Sequence, residues 1–352
     1  MDENQLKLSK IESFNASGVG VANNQIFGLP FNYDESELIL FSVPWEATVS
    51  YREGTAKGPE AITKASTQID LYDHDYPNGW HAGIHTNKFP TSLKKKNGEI
   101  RKLSSAYIKS LEKGKAVNSE TVLTAVNEAC EKMNKYVKAE AVKILNDNKI
   151  PGLIGGDHST PLGLMEALGE KHGGFGILQI DAHADLRDAY EGFTWSHASI
   201  MFNALKIEQV KKIVQVGVRD ICDDEINLID NSERRVVTFF NHELKNAMYN
   251  GIHWTLICRQ IIDELPKNVY VSFDIDGLDQ TYCPNTGTPV PGGLQYEQAV
   301  YLINEIITSG RKIIGFDLVE VAPGADEWDA IVGARMLYKL CNLALKSNAE
   351  NI

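Results

Sequence analysis

Residues 176–185, Gly-Ile-Leu-Gln-Ile-Asp-Ala-His-Ala-Asp, carry a short apolar, strand-like run straight into two aspartates and a histidine. Side chains of an extended chain alternate between two faces, so Asp181, His183 and Asp185 point one way as the chain leaves its strand. Two other stretches repeat the arrangement. Gly152 to Ile154 leads into Gly-Gly-Asp-His-Ser (155–159), and Val269 to Phe273 leads into Asp-Ile-Asp-Gly-Leu-Asp (274–279). Ligands gather outside the carboxyl ends of parallel strands. His158 therefore falls in one crevice with Asp181, His183, Asp185, Asp274 and Asp276.

Packed together, four carboxylates repel one another and drive their pKa values up unless roughly four positive charges sit among them. Two divalent metals supply that charge. Four carboxylates and two imidazoles without a thiolate favour Mn²⁺ over structural zinc, and Ni²⁺, iron or cobalt also fit. Any one of the six, alone, reads as an N-cap aspartate or a hydrogen-bonded core histidine. The whole set does not, because burying four acids without cations carries a severe desolvation and repulsion cost.

Working outward, apolar β-branched segments alternate with helix-like ones, as expected of a mainly parallel sheet covered on both faces. Further strands are predicted over Leu38 to Val43, Ile213 to Val218, Val236 to Phe240 and Ile313 to Leu318. From Ser119 to Leu145 apolar residues recur at helical spacing, and Asn146-Asp147-Asn148 ends that helix. No internal repeat or Pro/Ser-rich linker appears, so one domain is expected over 34–352, with 1–33 as a polar N-terminal arm or extension. The segment from Asp70 to Ser105 reads as an insertion or long loop, and Lys94-Lys95-Lys96 as a solvated turn ending in Asn97-Gly98.

Composition sets bounds. The 352 residues are 43% hydrophobic and 23% charged, with a formal net charge of −12, which argues against nonspecific nucleic-acid binding and leaves cationic small molecules open. No run is apolar enough to span a bilayer and no secretory-type leader is visible, so a cytoplasmic location without membrane contact is expected. Five cysteines, scattered and without a Cys-x-x-Cys spacing, indicate neither a disulfide framework nor a zinc site.

The three ligand motifs, together with Thr286-Gly287-Thr288-Pro289, Gly292-Gly293 and Glu320-Val321-Ala322-Pro323, resemble the arginase/agmatinase (ureohydrolase) family in this order. The likeness begins near Leu38, where Val43-Pro44 and Gly54-Thr55-Ala56-Lys57-Gly58-Pro59 resemble the family's first strand and loop, and runs to the C-terminal helix. It implies a three-layer α/β/α domain with an eight-stranded, mainly parallel sheet, a binuclear manganese site and assembly as a homotrimer or homohexamer. It also implies roles. His158, Asp181, Asp185 and Asp274 divide between two ions, His183 and Asp276 complete the shells, Glu320 holds a guanidinium group, and His197, in Trp195-Ser196-His197-Ala198-Ser199, shuttles protons.

These roles are chemically coherent. Paired ions lower the pKa of water and make a nucleophile at neutral pH. A carboxylate matches a guanidinium in bidentate fashion. Amines leave only when protonated, and a histidine is suited to deliver the proton.

Substrate choice rests on departures from the family. After Asp-x-His-x-Asp, arginases carry an Asn/Thr/Ser-rich stretch that binds the amino-acid end of arginine, whereas this chain has Leu186-Arg187-Asp188-Ala189-Tyr190-Glu191-Gly192, an agmatinase-like version. In the first loop, Ser42-Val43-Pro44-Trp45-Glu46-Ala47-Thr48 replaces a pattern resembling Gly-Val-Pro-Phe-Asp. Trp45, Thr48, Arg187 and Trp328 are the expected substrate-binding residues, although both tryptophans read more readily as core. The expected reaction releases urea from a guanidino compound that is not an amino acid. Agmatine, giving putrescine, leads, with free guanidine or a short guanidino acid as alternatives. Formiminoglutamate is disfavoured, since only Arg187 and Arg219 lie near the predicted mouth. A catalytically idle, polyamine-binding or regulatory relative would lack a ligand, the shuttle or the guanidinium acid, and none is missing.

Overall fold

The computed structural model describes residues 3–23, 25–114 and 119–349; Met1, Asp2 and Asn24 of the expected arm lie outside them. The strands are β1 (Leu38–Val43), β2 (Ile84–Thr86), β3 (Ile150–Gly155), β4 (Phe175–Ile180), β5 (Val210–Val216), β6 (Val236–Phe239), β7 (Asn268–Asp274) and β8 (Lys312–Val319). They form one sheet in the order β2-β1-β3-β8-β7-β4-β5-β6, and every pair is parallel. The helices are α1 (Glu3–Ser13), α2 (Gly58–Ala65), α3 (Thr91–Glu112), α4 (Glu120–Asn146), α5 (Leu162–His172) and α6 (Ile200–Ala204). They continue with α7 (Asp223–Asp230), α8 (Asn241–Tyr249), α9 (Trp254–Asp263), α10 (Tyr296–Thr308) and α11 (Trp328–Asn348).

The alternation of strand side chains divides the core into two layers. Leu38 and Leu40 of β1 and Leu178 and Ile180 of β4 face a layer built with α2, α9, α10 and α11. Ile39, Phe41 and Val43, with Phe175 and Ile177, face the other, built with α3, α4, α5 and α6. Each fully buried Leu, Ile or Phe in these layers contributes roughly 1.5–3 kcal/mol of transfer free energy. The three-layer α/β/α architecture and the seven strands read from the sequence are found, with ends shifted by at most three residues. Among the described residues no helix is long and apolar enough to cross a membrane. All five cysteines are free.

Three segments differ from the sequence expectation. The 70–105 stretch is not a long loop: it holds β2, which pairs with β1 at Ile84 and Leu38, and the first two-thirds of α3. Helical periodicity is masked there because the buried stripe of α3 includes Asn97, Arg101 and Ser104 beside Ile100, Tyr107 and Ile108. Lys94-Lys95-Lys96 accordingly lies on a helix rather than in a turn, with Lys94 paired to Glu60 at 2.6 Å. Within the expected arm, Ile26, Phe27, Leu29 and Phe31 are buried. Phe14 packs on Trp80 (5.3 Å between ring centroids) and Phe27 on Tyr338 (4.8 Å), so this segment is docked on the domain.

Candidate active site

The four central strands, β3, β8, β7 and β4, deliver the site from their carboxyl ends. His158 follows β3, Asp181 follows β4, Asp274 ends β7 and Glu320 follows β8. Register levels them: Ile180 pairs with Phe273, so Asp181 and Asp274 come next on neighbouring strands, and Asp274 pairs with Val319, the residue before Glu320. Gly277 lets the chain after β7 cross directly over this point, since a Cβ there would sit 2.6 Å from the Asp181 nitrogen. Asp185 and Glu320 both hold left-handed backbone (φ 56° and 62°), a strain of about 1–3 kcal/mol each that is typical of functional positions.

All six predicted ligands converge. Nδ1 of His158 lies 2.9 Å from Asp181 Oδ2, 2.9 Å from Asp185 Oδ2 and 3.3 Å from Asp274 Oδ2. Nδ1 of His183 lies 3.2 Å from Asp276 Oδ2 and 3.6 Å from Asp181 Oδ1. Asp181 thus offers one oxygen to each group, and its carboxylate is also held by the His183 N–H (2.7 Å) and the Gln179 side-chain amide (2.8 Å). The Asp276 carboxylate accepts the Ala182 N–H through Oδ1 (3.0 Å).

The donor set fits divalent cations on a direct observation. Nε2 of His158 is 2.9 Å from Ser272 Oγ, and Ser272 Oγ is 2.9 Å from Asp317 Oδ2. With Nε2 of His158 engaged by Ser272, and Ser272 donating to Asp317, Nδ1 is the ring atom that faces three carboxylates. His158 Nδ1 and Asp276 Oδ2 are both buried and without a hydrogen-bond partner among the described residues. The two atoms belong to separate groups, His158–Asp181–Asp185 and Asp181–His183–Asp276, and a cation in each group would satisfy them.

Titration behaviour agrees. Burial raises the Asp185 carboxyl to about 7, with Asp181 adding repulsion. Burial, Asp276 and Asp181 hold Asp274 well above the ordinary range. Burial also opposes ionisation of Asp181, but His158 and His183 overcome it and lower its pKa.

Beneath the ligands runs a polar support that sequence reasoning missed. Gln215 of β5 donates to Gln179 Oε1 and to the Ala184 carbonyl (both 2.7 Å), and Thr238 of β6 donates to Gln215 Oε1 (2.7 Å). On the other side, Tyr270 OH (2.5 Å) joins Ser272 in donating to Asp317. Their signal was available: Gln179, Gln215, Ser272 and Asp317 are polar residues set among the apolar residues of their strands.

Glu320 and His197 flank the cluster in the same cleft, which encloses about 130 Å³ of free space. Glu320 Oε1 accepts the His158 N–H (2.9 Å). Gly287 keeps space beside Oε2, where a Cβ would come within 3.0 Å. Burial, then Asp157 and Asp276, raise the Glu320 pKa well above the usual carboxylate range. His197 is buried, with its N–H bound by Thr48 Oγ1 (3.2 Å) and Nε2 3.4 Å from Ser50 Oγ. Burial, with His183, Arg101 and His158 adding repulsion, lowers the imidazole to about 3. It is therefore neutral at pH 7.

Of the four expected substrate-binding residues, only Arg187 lines the cleft. Its guanidinium lies over the Tyr190 ring (4.8 Å) and its Nε is 3.7 Å from Glu225. Thr48 is fully buried and acts through the His197 backbone. Trp45 belongs to the core against α4, because the indole points into the apolar layer shared with Cys130 and Met133. Trp328 starts α11 outside the cleft, 45% exposed, and donates Nε1–H to the Thr281 carbonyl (2.9 Å). Glu46 turns to its own loop instead of the cleft: Oε2 accepts Gly54 N–H (2.6 Å) and Ala56 N–H (3.2 Å). Arg219 does not line the cleft either; it donates to the carbonyls of Gly217, Asp276, Leu278, Val290 and Pro291. Ser50, Tyr190, Asp220, Glu225 and Thr288 line the cleft without having been foreseen.

Two histidines, four aspartates and a buried glutamate gathered at the carboxyl ends of an eight-stranded parallel sheet fit the metal-dependent hydrolases built on a three-layer α/β/α fold. Residues 36–342 match the arginase family, and the chain belongs to it. It is 29% identical over 311 residues to the N(1)-aminopropylagmatine ureohydrolase of Thermus thermophilus, covering 88% of this chain and 91% of that one. It is also 29% identical to the guanidinobutyrase of Pseudomonas aeruginosa, covering 88% and 87%. Among solved structures, the agmatine ureohydrolase of Thermoplasma volcanium superposes with a TM-score of 0.69 at 24% identity, covering 96% of this chain and 98% of that one. At that identity the likeness speaks for the fold.

Proposed function

We propose that this cleft hydrolyses a guanidino compound that is not an α-amino acid, releasing urea, with agmatine to putrescine as the leading reaction and two Mn²⁺ ions, or Ni²⁺, in the ligand cluster. The observation that carries the reading is the placement of the buried Glu320 carboxylate, with open space beside Oε2, in one cleft with the six-ligand cluster and His197. The names of the relatives, which include agmatinases and a guanidinobutyrase, support the same chemistry.

One ion would be held by His158, Asp181, Asp185 and Asp274, the other by His183, Asp181 and Asp276. When bound, such a pair lowers the pKa of water and supplies a nucleophile at neutral pH. Glu320 binds the guanidinium and orients its carbon toward the cluster; arrival of the cation also relieves the cost of ionising a buried carboxylate. His197, neutral and screened from solvent, accepts the proton given up by the attacking water and passes it to the departing nitrogen, which leaves as an amine. Water and guanidinium become urea and a protonated amine, with no other co-reactant.

A second reading is a guanidino compound with a carboxylate tail. It is favoured by Arg187, a cation on the wall of the cleft, stacked on Tyr190. Free guanidine is the third substrate class, although neither Trp45 nor Trp328, the large side chains that would narrow the site for so small a substrate, lines the cleft. Urea release from agmatine, guanidine, 4-guanidinobutyrate and arginine by metal-loaded enzyme ranks these classes; no urea from any of them overturns the assignment. The family resemblance extends the proposal to a homotrimer or homohexamer, which sedimentation equilibrium reads directly, and the sequence adds a cytoplasmic location.

A further inference from the structure

The buried stripe of α3 is polar where packing alone would call for apolar residues. Asn97, Arg101 and Ser104 lie at i, i+4 and i+7, one face of the helix, and all three are less than 10% exposed. Buried polar groups cost free energy unless they are bonded, and here each finds the segment that follows β1. Asn97 Oδ1 accepts the Glu46 N–H (2.8 Å), Ser104 Oγ donates to the Ala47 carbonyl (2.5 Å), and Arg101 donates Nη1–H to the Val49 carbonyl (2.5 Å) and Nε–H to Glu53 (3.1 Å).

That segment is closed on itself by Glu46, whose Oε2 accepts the amides of Gly54 and Ala56. The alternate residues of the same segment, Thr48 and Ser50, reach His197, one at its backbone N–H and one at its ring. We infer that α3 is a positioning element for His197: its Asn97–Arg101–Ser104 face holds the ring of residues 46–56 at the place where Thr48 and Ser50 set the imidazole beside the metal-ligand cluster. The inference rests on the proposed proton-transfer role of His197 and adds to it a set of residues on a separate helix that never touch substrate.

The test uses metal-loaded Ser104→Ala, Arg101→Ala and Arg101→Lys, with Lys102→Ala, an exposed neighbour on the same helix, as control. Misplacement of a reacting group by about an ångström lowers turnover on the order of 10–100-fold, so kcat of Arg101→Ala and Ser104→Ala should fall by that much while KM stays within about twofold and metal content is unchanged. Hydrogen exchange of residues 46–56 and 196–199 should quicken in the same variants. Arg101→Lys, which restores a donor for the Val49 carbonyl, should recover part of both, and Lys102→Ala should change neither. If Arg101→Ala does not fold, Ser104→Ala and Arg101→Lys carry the test. Quickened exchange with unchanged kcat, or no change in either, overturns the inference, as does an equal loss in Lys102→Ala. His197→Asn separates the two levels: if it loses turnover while the α3 variants keep theirs, only the positioning claim fails, and if it keeps turnover, the proton-transfer reading fails.

Discussion

Nε2 of His158 rests 2.9 Å from Ser272 Oγ, and that contact determines which nitrogen of the ring faces the carboxylates. The hydroxyl is fixed in turn by Asp317, so a histidine–serine–aspartate relay runs from the crevice into the sheet. Partners of this kind orient a ligating imidazole, and losing one typically weakens metal binding about 10–100-fold. Ser272→Ala and Asp317→Asn should therefore weaken metal binding by that order without disrupting the sheet. Equilibrium dialysis against buffered Mn²⁺ measures it, and wild-type affinity in both variants would remove the relay from the account.

His197 carries two linked expectations. Its replacement by Asn should leave metal content intact and reduce turnover by about 10²–10⁴-fold, the usual worth of a positioned proton-transfer group. Its low pKa also makes stability depend on pH. The folded ring titrates near 3 and an unfolded histidine near 6.5, so between those values the unfolded chain binds more protons. The neutral ring thus costs nothing above about pH 6.5, and stability falls as pH drops from there toward 3, by up to about 1.4 kcal/mol per pH unit from this group. Urea denaturation of metal-free wild type and His197→Asn between pH 7 and 4 should show a shallower loss in the variant. Parallel curves would contradict a buried, neutral imidazole.

Glu320→Gln keeps the acceptor for the His158 N–H and removes the charge that meets a guanidinium. Truncating one side of a buried charged pair costs on the order of 2–5 kcal/mol, so kcat/KM should fall by at least about 30-fold with metal content unchanged. A variant with wild-type kcat/KM would place the guanidinium elsewhere.

Arg187 bears on the tail of the substrate. Arg187→Ala should shift the ratio of kcat/KM for agmatine over 4-guanidinobutyrate toward agmatine by about tenfold, since it removes a cation from the wall. An unchanged ratio would mean that the tail does not pass this residue.

The ligand cluster was legible in the chain because every member follows an apolar run that can only be a strand, and alternation then dictates which side chains converge. Glu320 and His197 became legible through motif order, since neither a lone glutamate after a strand nor a histidine in a loop declares a role by itself. α3 was not legible: Asn97-Gly98 reads as a turn, and the polar stripe that clamps residues 46–56 erases the apolar period that marks a helix. Trp45 stayed open between core and crevice for a different reason. An aromatic at the end of a strand can turn inward or toward the crevice, and only packing against Cys130 and Met133 decides. Arg187 lines the cleft because it directly follows the ligand run, two residues beyond Asp185.

The central claim is that two ions held by the six ligands enable urea release, and the direct measurement is a metal titration of chelator-stripped enzyme with urea release and bound metal read in parallel. Activity should be absent in the stripped protein and should appear as occupancy by Mn²⁺ or Ni²⁺ approaches about two ions per chain. Urea release that persists in the stripped protein, or that saturates while a single ion is bound, would contradict it.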